Sequence, residues 1–187
     1  MPVEAHITPI WKKQKGFVAL FFTAIGLWFL FDGMVGFPRS NERWLAHEKF
    51  KTEGHLSEWP AFAKNAGWND EPPHKLYKKQ DIAGQYILGA LALVIGAGAF
   101  IYWSGQIKRV VKLDNDVLTI SAGKRVPLEA ITGINRKKWD AKGLATVYFT
   151  LDGRRGKFVL DDYKFDRDPI HEIMKAVEQK LGKSASL

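Results

Sequence analysis

The stretch from Ile82 to Trp103 constrains the fold most, because it contains no charged side chain. Its one strongly polar side chain, Gln85, lies in the first turn of the helix that this composition predicts. A helix of about 20 apolar residues crosses the roughly 30 Å apolar core of a bilayer. The stretch therefore predicts a transmembrane helix over residues 82–104.

A second apolar run covers residues 16–37, where Asp32 is the only charged residue. A carboxylate near the end of a span can reach the headgroups, whereas at mid-membrane it would cost about 2.5–3.5 kcal/mol. Lys12 and Lys13 precede the run as they would in a signal peptide, but Phe37-Pro-Arg follows it instead of a small-residue cleavage site. Two such helices are hard to bury in a chain of 187 residues. The sequence therefore predicts an uncleaved two-helix hairpin in a membrane.

Small residues recur along one helical face of each predicted span. In lipid there is little hydrophobic drive between helices, so close backbone approach supplies the packing energy. We expect the two faces to pack on each other, with a second copy or a foreign subunit as the alternative partner. The predicted packing residues are Ala19, Thr23 and Gly26 in the first span and Gly89, Ala92, Gly96 and Ala99 in the second.

The distribution of charge predicts an orientation. The net charge is +8, and the excess of Lys and Arg lies in residues 1–15 and 105–187, which a hairpin places on one side of the membrane. The positive-inside rule then puts both termini in the cytoplasm. Lys75, Lys78 and Lys79 count against this orientation, because they flank the second span on its other side.

Residues 38–81 are predicted to form an extracytoplasmic loop with short helices. Pro38 is expected to end the first helix, and Ser40 to cap a short helix that runs to about Lys51. A second short helix is expected to start near Ser57 and stop at Gly67. Large aromatic side chains in this polar segment either pack on the membrane surface and on each other or form a docking surface for a partner. The candidate docking residues are Trp44, Trp59 and Trp68.

The segment after Ile107 has the alternating pattern of short antiparallel strands. Asp152-Gly153 predicts a type I′ hairpin turn, and Pro127 predicts an edge strand or a bulge. Asp168 is the predicted N-cap of a closing amphipathic helix, with Pro169 in its first turn. The expected fold class is therefore α+β: a small antiparallel sheet or partial barrel of five or six strands, closed by a C-terminal helix.

The segment Lys124-Arg-Val-Pro-Leu-Glu-Ala-Ile-Thr-Gly-Ile134, the order of strands and the closing helix resemble bacterial pleckstrin-homology-like domains. That resemblance implies a scaffold or interaction module without a shared catalytic site, commonly preceded by a pair of membrane helices. Seven strands are usual in that group. The implied organisation is a cytoplasmic segment at 1–15, spans at 16–37 and 82–104, the loop at 38–81 and a cytoplasmic domain at 105–187. The implied location is the bacterial inner membrane, as a two-pass protein.

Basic clusters fall at predicted turns and strand ends of this domain. Beside a bilayer, each cation would contribute about 1 kcal/mol of attraction to anionic headgroups. The alternative is a solvated basic face, and nucleic acid is not an expected partner because aromatic residues do not interleave with the basic ones. The candidate lipid or partner surface consists of Lys124, Arg125, Arg136, Lys137, Lys138, Arg154, Arg155 and Lys157.

Catalytic and metal-binding patterns are not evident in the sequence. There is no cysteine, and the five histidines lack the spacing of a metal site. Asp161-Asp162 with Asp166 and Asp168 does not match an EF-hand loop, and turn and cap roles are expected instead. We expect no enzyme activity, no cofactor, no metal and no small-molecule substrate.

Two functions follow from these expectations. The first is a non-enzymatic, membrane-anchored interaction or scaffold module that presents a pleckstrin-homology-like domain at the cytoplasmic face. The alternative is a small accessory structural subunit of a larger integral-membrane complex. The expected partners are membrane lipids and either a membrane protein or a second copy of the chain.

Overall fold

The computed structural model describes residues 2–120 and 123–184. The chain divides into two compact units, one formed by Met1–Phe17 with Phe100–Leu187 and the other by Val18–Ala99. The helices are α1 (Pro9–Phe31), α2 (Phe37–Thr52), α3 (Trp59–Asn65), α4 (Lys79–Gln106), α5 (Trp139–Lys142) and α6 (Arg167–Ser184), with a π-helical turn at Asp32–Gly36. The strands are β1 (Val3–His6), β2 (Val110–Asp114), β3 (Val117–Ile120), β4 (Lys124–Pro127), β5 (Ile131–Lys138), β6 (Leu144–Leu151) and β7 (Arg154–Asp161).

Two helical runs, Pro9–Thr52 and Lys79–Gln106, are long and apolar enough to cross a membrane. Within the unit Val18–Ala99, α1 and α4 pack against each other in opposite directions through glycines. A Cβ atom on Gly26 would lie 2.8 Å from Leu93 Cγ, and one on Gly89 would lie 2.9 Å from Leu30 Cγ. Real Cβ atoms do not come this close to other atoms, so only glycine allows the observed separation of the two helices.

The expectation that Pro38 ends the first helix is wrong. Helix α2 begins at Phe37, directly after the π-helical turn, and the helical run continues to Thr52. The Phe37 N–H donates to the Asp32 carbonyl, as a π-helix requires, and Pro38 has no N–H for the Gly33 carbonyl. The Tyr86 hydroxyl donates to that carbonyl at 3.2 Å instead. A wider turn and a side-chain donor therefore accommodate the proline without ending the helix.

The segment between the two long helices folds back along α2. The Asn41 side chain accepts the Tyr77 N–H at 2.7 Å and donates to the Tyr77 carbonyl at 2.8 Å. The rings of Phe37 and Tyr77 are stacked with their centroids 3.9 Å apart. A 3₁₀ turn at Leu56–Glu58 leads into α3, and Gly67 then adopts a left-handed conformation with φ of 72°.

The other unit contains two antiparallel sheets, with strand orders β1-β2-β3-β4 and β5-β6-β7. The sheets remain separate and do not close into a continuous barrel. Strand β1 was not expected from the sequence, which suggested only a cytoplasmic segment at residues 1–15. It pairs with β2 from Val3 opposite Leu113 to His6 opposite Val110. Six of the described strands follow Ile107, in agreement with the five or six expected there, and β1 is a seventh.

The turn and edge positions predicted from individual residues are present in the sheets. Asp152 and Gly153 both have positive φ, 51° and 72°, so the predicted type I′ turn is confirmed. Asn115 and Asp116 form a second such turn between β2 and β3, with φ of 47° and 61°. Pro127 lies on β4, an edge strand of its sheet, where a missing N–H donor costs no ladder bond.

The closing helix starts earlier than predicted, so Asp168 is not its N-cap. The Asp166 carbonyl accepts the Ile170 N–H at 3.2 Å, and α6 begins at Arg167. The apolar face of α6 is buried against both sheets, each fully buried aliphatic side chain contributing about 1.5–3 kcal/mol. This core includes Ile170, Ile173 and Val177 of the helix with Leu118, Val126, Val147 and Leu160 of the strands.

Candidate functional site

The unit that contains both sheets, Met1–Phe17 with Phe100–Leu187, is called here the sheet unit. The predicted basic residues do not form one surface in it. Lys138 lies opposite Leu144 at one end of β6, whereas Arg154 lies opposite Leu151 at the other end. At about 3.3 Å per residue, these ends are roughly 20 Å apart. Arg125 belongs to the other sheet, where it pairs with Thr119. A single headgroup therefore cannot contact all of these cations.

Two of the predicted cations already interact within the unit. Arg136 Nη1 lies 2.5 Å from Glu178 Oε1 on α6. Lys124 Nζ lies 4.6 Å from the centroid of the Phe149 ring, which is a cation–π distance. Both contacts reduce the availability of these charges to a ligand. Arg155 and Lys157 on β7 and Lys137 on β5 are exposed.

A shallow groove of about 300 Å³ adjoins the lysines at the end of β5. Its polar lining comes from Lys137, Lys138, Asn135 and Thr146. Lys137 and Lys138 are the members of the predicted basic surface that line this groove. The lysines here are exposed side chains, so any anion that they bind stays hydrated.

A second concavity, which the sequence did not indicate, lies between the two sheets. It has a volume of about 280 Å³ and is called here the Lys164 cleft. Asp161 and Lys164 are its charged members, and the remaining lining is apolar. The lining residues are Val111, Ile120, Phe158, Val159, Asp161, Lys164 and Phe165.

Lys164 is held in an unusual environment for a lysine. Its Nζ donates to Gln106 Oε1 at 2.7 Å and lies 5.2 Å from the Trp11 ring centroid and 5.4 Å from that of Phe165. Gln106 itself is only 7% exposed. Burial lowers the pKa of Lys164, and the nearby Arg109 guanidinium lowers it further, while the Asp161 carboxylate opposes both effects.

The segment around Lys164 also joins the sheets to the first turns of α1. The Thr8 N–H donates to the Lys164 carbonyl at 2.9 Å, and the Thr8 hydroxyl donates to the Tyr163 carbonyl at 3.1 Å. The Tyr163 hydroxyl is hydrogen-bonded to Gln14 Oε1. Because these bonds connect residues far apart in sequence, no periodicity in the chain could have indicated them.

The end of α4 contacts the same part of α1. The Trp103 indole N–H donates to the Lys12 carbonyl at 2.9 Å. The rings of Trp11 and Tyr102 are 6.3 Å apart at their centroids. The sheets and the adjacent ends of both long helices therefore form one packed unit.

Among the acidic residues before α6, Asp161 has the turn role that was predicted, whereas Asp162 contacts side chains. Asp161 Oδ1 accepts the N–H groups of Tyr163 at 3.1 Å and Lys164 at 2.9 Å. Asp162 Oδ2 lies 3.2 Å from His171 Nε2 and 3.4 Å from Arg167 Nε. Among the described residues, no group of three or more His, Cys, Asp and Glu side chains is arranged to hold a metal ion.

The predicted helix-packing residues lie where α1 meets α4 or beside that contact. A Cβ atom on Gly96 would lie 2.9 Å from the Thr23 backbone nitrogen. Ala19 and Ala92 are buried, and Ala99 is half-buried. The structure thus places these residues between the two long helices of one chain.

The predicted docking tryptophans differ in exposure. Trp59 is 3% exposed, packs near Phe62 and Trp68, and donates its indole N–H to the Asp70 carbonyl at 3.0 Å. Trp44 and Trp68 are half-buried. Packing among the aromatic residues therefore explains the burial of Trp59. Of the three predicted docking residues, only Trp44 and Trp68 are exposed enough for a partner to contact.

No protein family, no curated protein and no solved structure matches the chain.

Proposed function

We propose that this protein is a non-enzymatic, membrane-anchored interaction module whose sheet unit resembles a pleckstrin-homology-like domain. The observation that carries the proposal is that the terminal turns of both long helices belong to the same compact unit as the sheets. Direct packing, rather than a flexible tether, holds the sheets to those helix ends. Such a construction suits a module that presents a binding surface beside the ends of two membrane helices.

Membrane insertion is supported by the exposure of the long helices. Only 17% of the residues in the apolar stretch of each are buried, whereas a core helix of a globular protein is buried on most sides. Leu20, Ile87 and Val94 are each more than half exposed. Lipid is the solvent in which this surface is stable. The excess of Lys and Arg near the termini favours a cytoplasmic location for both.

The assignment to pleckstrin-homology-like domains is supported by the strand count. Six of the described strands and the closing helix lie in the segment that carries the resemblance, and β1 raises the number to the seven usual in that group. The predicted basic residues are dispersed, so they favour weak, nonspecific attraction to an anionic surface over a headgroup pocket formed by those residues themselves. The sheet unit then offers its surface to a protein partner at the bacterial inner membrane.

A small accessory subunit of a larger membrane complex is the second candidate. It is favoured by apolar side chains in the otherwise polar residues 38–81, where Leu45 is 58% exposed and Phe62 is 40% exposed. A larger protein could cover this surface together with Trp44 and Trp68.

Extraction of the full chain from its native membrane in a mild detergent tests both candidates. Native gel separation and mass spectrometry would identify every protein that migrates with it. A set of larger membrane proteins in fixed stoichiometry would establish the subunit. Migration as a single chain or a self-complex would favour the module, and release of the chain by alkaline carbonate without detergent would refute membrane anchoring altogether.

A further inference from the structure

The Lys164 cleft combines three features: a concave shape, an apolar wall and a half-buried cation. Apart from Asp161, the residues that line it with Lys164 are all apolar. An ammonium group has three donors, and among the described residues Lys164 Nζ finds one hydrogen-bond acceptor, Gln106 Oε1. Donor capacity therefore remains beside an apolar surface.

The electrostatics of the cleft favour an anion. Lys164 and Arg109 repel each other, and one carboxylate, Asp161, partly compensates them. No carboxylate of the described residues forms an ion pair with Lys164 within 4.0 Å. An anionic group placed at Lys164 Nζ would offset both the desolvation and the repulsion. Such a charge-assisted bond is about twice as strong as a neutral one.

The position of Lys164 suggests which anion this is. Its two neighbours, Trp11 and Gln106, belong to the ends of the two long apolar helices. Trp103 and Tyr102 lie at the same helix end, and amphipathic rings favour the headgroup level of a bilayer. If the helices span the membrane, as proposed above, then Lys164 lies at the depth of the phospholipid phosphates.

We propose that the Lys164 cleft binds one anionic phospholipid. Its phosphate accepts hydrogen bonds from Lys164 and lies near Arg109, and its glycerol portion contacts Val111, Ile120 and Val159. The cleft volume of about 280 Å³ is near the lower end of ligand pockets, which begin at about 300 Å³. It therefore holds the phosphate and glycerol, while the acyl chains extend outside it. This inference rests on the proposed membrane anchoring.

Native mass spectrometry of the full chain tests the proposal. The purified protein is delipidated and then offered equal amounts of phosphatidylglycerol and phosphatidylcholine in mixed micelles. We expect the wild type to retain one phosphatidylglycerol molecule. Lys164→Gln should weaken that retention about tenfold or more, because it removes a charged hydrogen bond. Lys175→Gln is the matched control: it removes the same charge from an exposed site on α6 and should retain lipid like the wild type.

A second variant keeps the test valid if Lys164→Gln does not fold. Val159 is 50% exposed on the edge strand β7 and lines both the Lys164 cleft and the groove beside Lys137, so Val159→Trp narrows both concavities without disturbing the buried core. We expect this variant to keep the circular dichroism of the wild type and to lose the retained phosphatidylglycerol. Retention by Val159→Trp at the wild-type level would overturn the proposal, because the lipid would then lie elsewhere.

Other outcomes would also overturn it. Equal retention of phosphatidylglycerol and phosphatidylcholine by the wild type would mean that no anion site exists. Equal retention by Lys164→Gln and Lys175→Gln would exclude Lys164 as the anchor. Displacement of the lipid by soluble glycerol phosphate at matched concentration would identify a soluble phosphate ester as the ligand. Carbonate extraction, run in parallel, separates a failure of membrane anchoring from a failure of this site.

Discussion

The close approach of α1 and α4 at Gly96 yields the sharpest prediction. A Cβ atom at this position would lie 2.9 Å from the Thr23 backbone nitrogen and 3.3 Å from the Phe22 carbonyl carbon. Ordinary contacts begin at 3.4 Å, so Gly96→Ala must separate the helices by about 0.5 Å. Backbone atoms cannot rotate away as a flexible side chain can. We therefore expect an overpacking cost of about 1–3 kcal/mol.

Gly98→Ala is the matched control, two residues further along the same helix. A Cβ atom at Gly98 meets nothing within 4 Å. The alanine there should stabilise the helix by up to about 1 kcal/mol through its higher propensity. The two variants have identical composition, so any difference between them reports the site and not the residue type.

The assay is unfolding of the detergent-solubilised chain by increasing mole fraction of dodecyl sulfate, followed by tryptophan fluorescence and circular dichroism. Gly96→Ala should unfold at a lower mole fraction than the wild type, and Gly98→Ala should not. Equal unfolding midpoints for the two variants would refute the intramolecular packing of α1 on α4 through this face. The small-residue faces would then be available to another chain.

Three further predictions concern the sheet unit. Ala5→Asp should destabilise this unit by about 3 kcal/mol or more in chemical denaturation, because Ala5 is fully buried on β1. The neighbouring His6 is exposed, so the control variant His6→Ala should change the stability little. A double-mutant cycle on Arg136 and Glu178 should give a coupling below about 1 kcal/mol, since both side chains are partly solvated, and a larger value would show that the pair is structural. The pKa of Lys164 is lowered on folding. Between the pKa of the folded state and 10.5, the unfolded chain therefore binds more protons than the folded chain. The contribution of Lys164 to the free energy of unfolding rises with pH through that window. Urea unfolding of the wild type and Lys164→Gln across that range should show that the wild type gains stability relative to the variant as the pH rises. A difference in stability that does not change with pH would contradict the half-buried position of Lys164.

Several features of the fold could be read from local residues. Asp152-Gly153 has the chemistry of a type I′ turn, and that turn is present because few other residue pairs tolerate positive φ at both positions. Pro127 cannot donate a ladder bond and lies on an edge strand. The apolar spacing of Ile170, Ile173 and Val177 matches one helical face, which is the buried face of α6.

Other features depend on pairs of residues that no local pattern connects. Strand β1 is only four residues long, and its pairing with β2 brings together residues more than a hundred positions apart. Pro38 reads as a helix stop, but the π-helical turn and the distant Tyr86 hydroxyl supply what the proline removes. The basic residues look clustered along the chain, yet the antiparallel register of β5, β6 and β7 distributes them to opposite ends of one sheet.

The sequence by itself determined the two apolar helices, the α+β class of the remainder, and the turns and amphipathic helix of that part. These depend on composition, periodicity and residue-specific backbone limits, all of which act within a few neighbouring positions. The tertiary structure alone decided the seventh strand, the separation of the basic residues and the Lys164 cleft. Each of these features joins distant parts of the chain. At Lys164, for example, Trp11 and Gln106 come from two other segments, so burial and charge there depend on the whole fold.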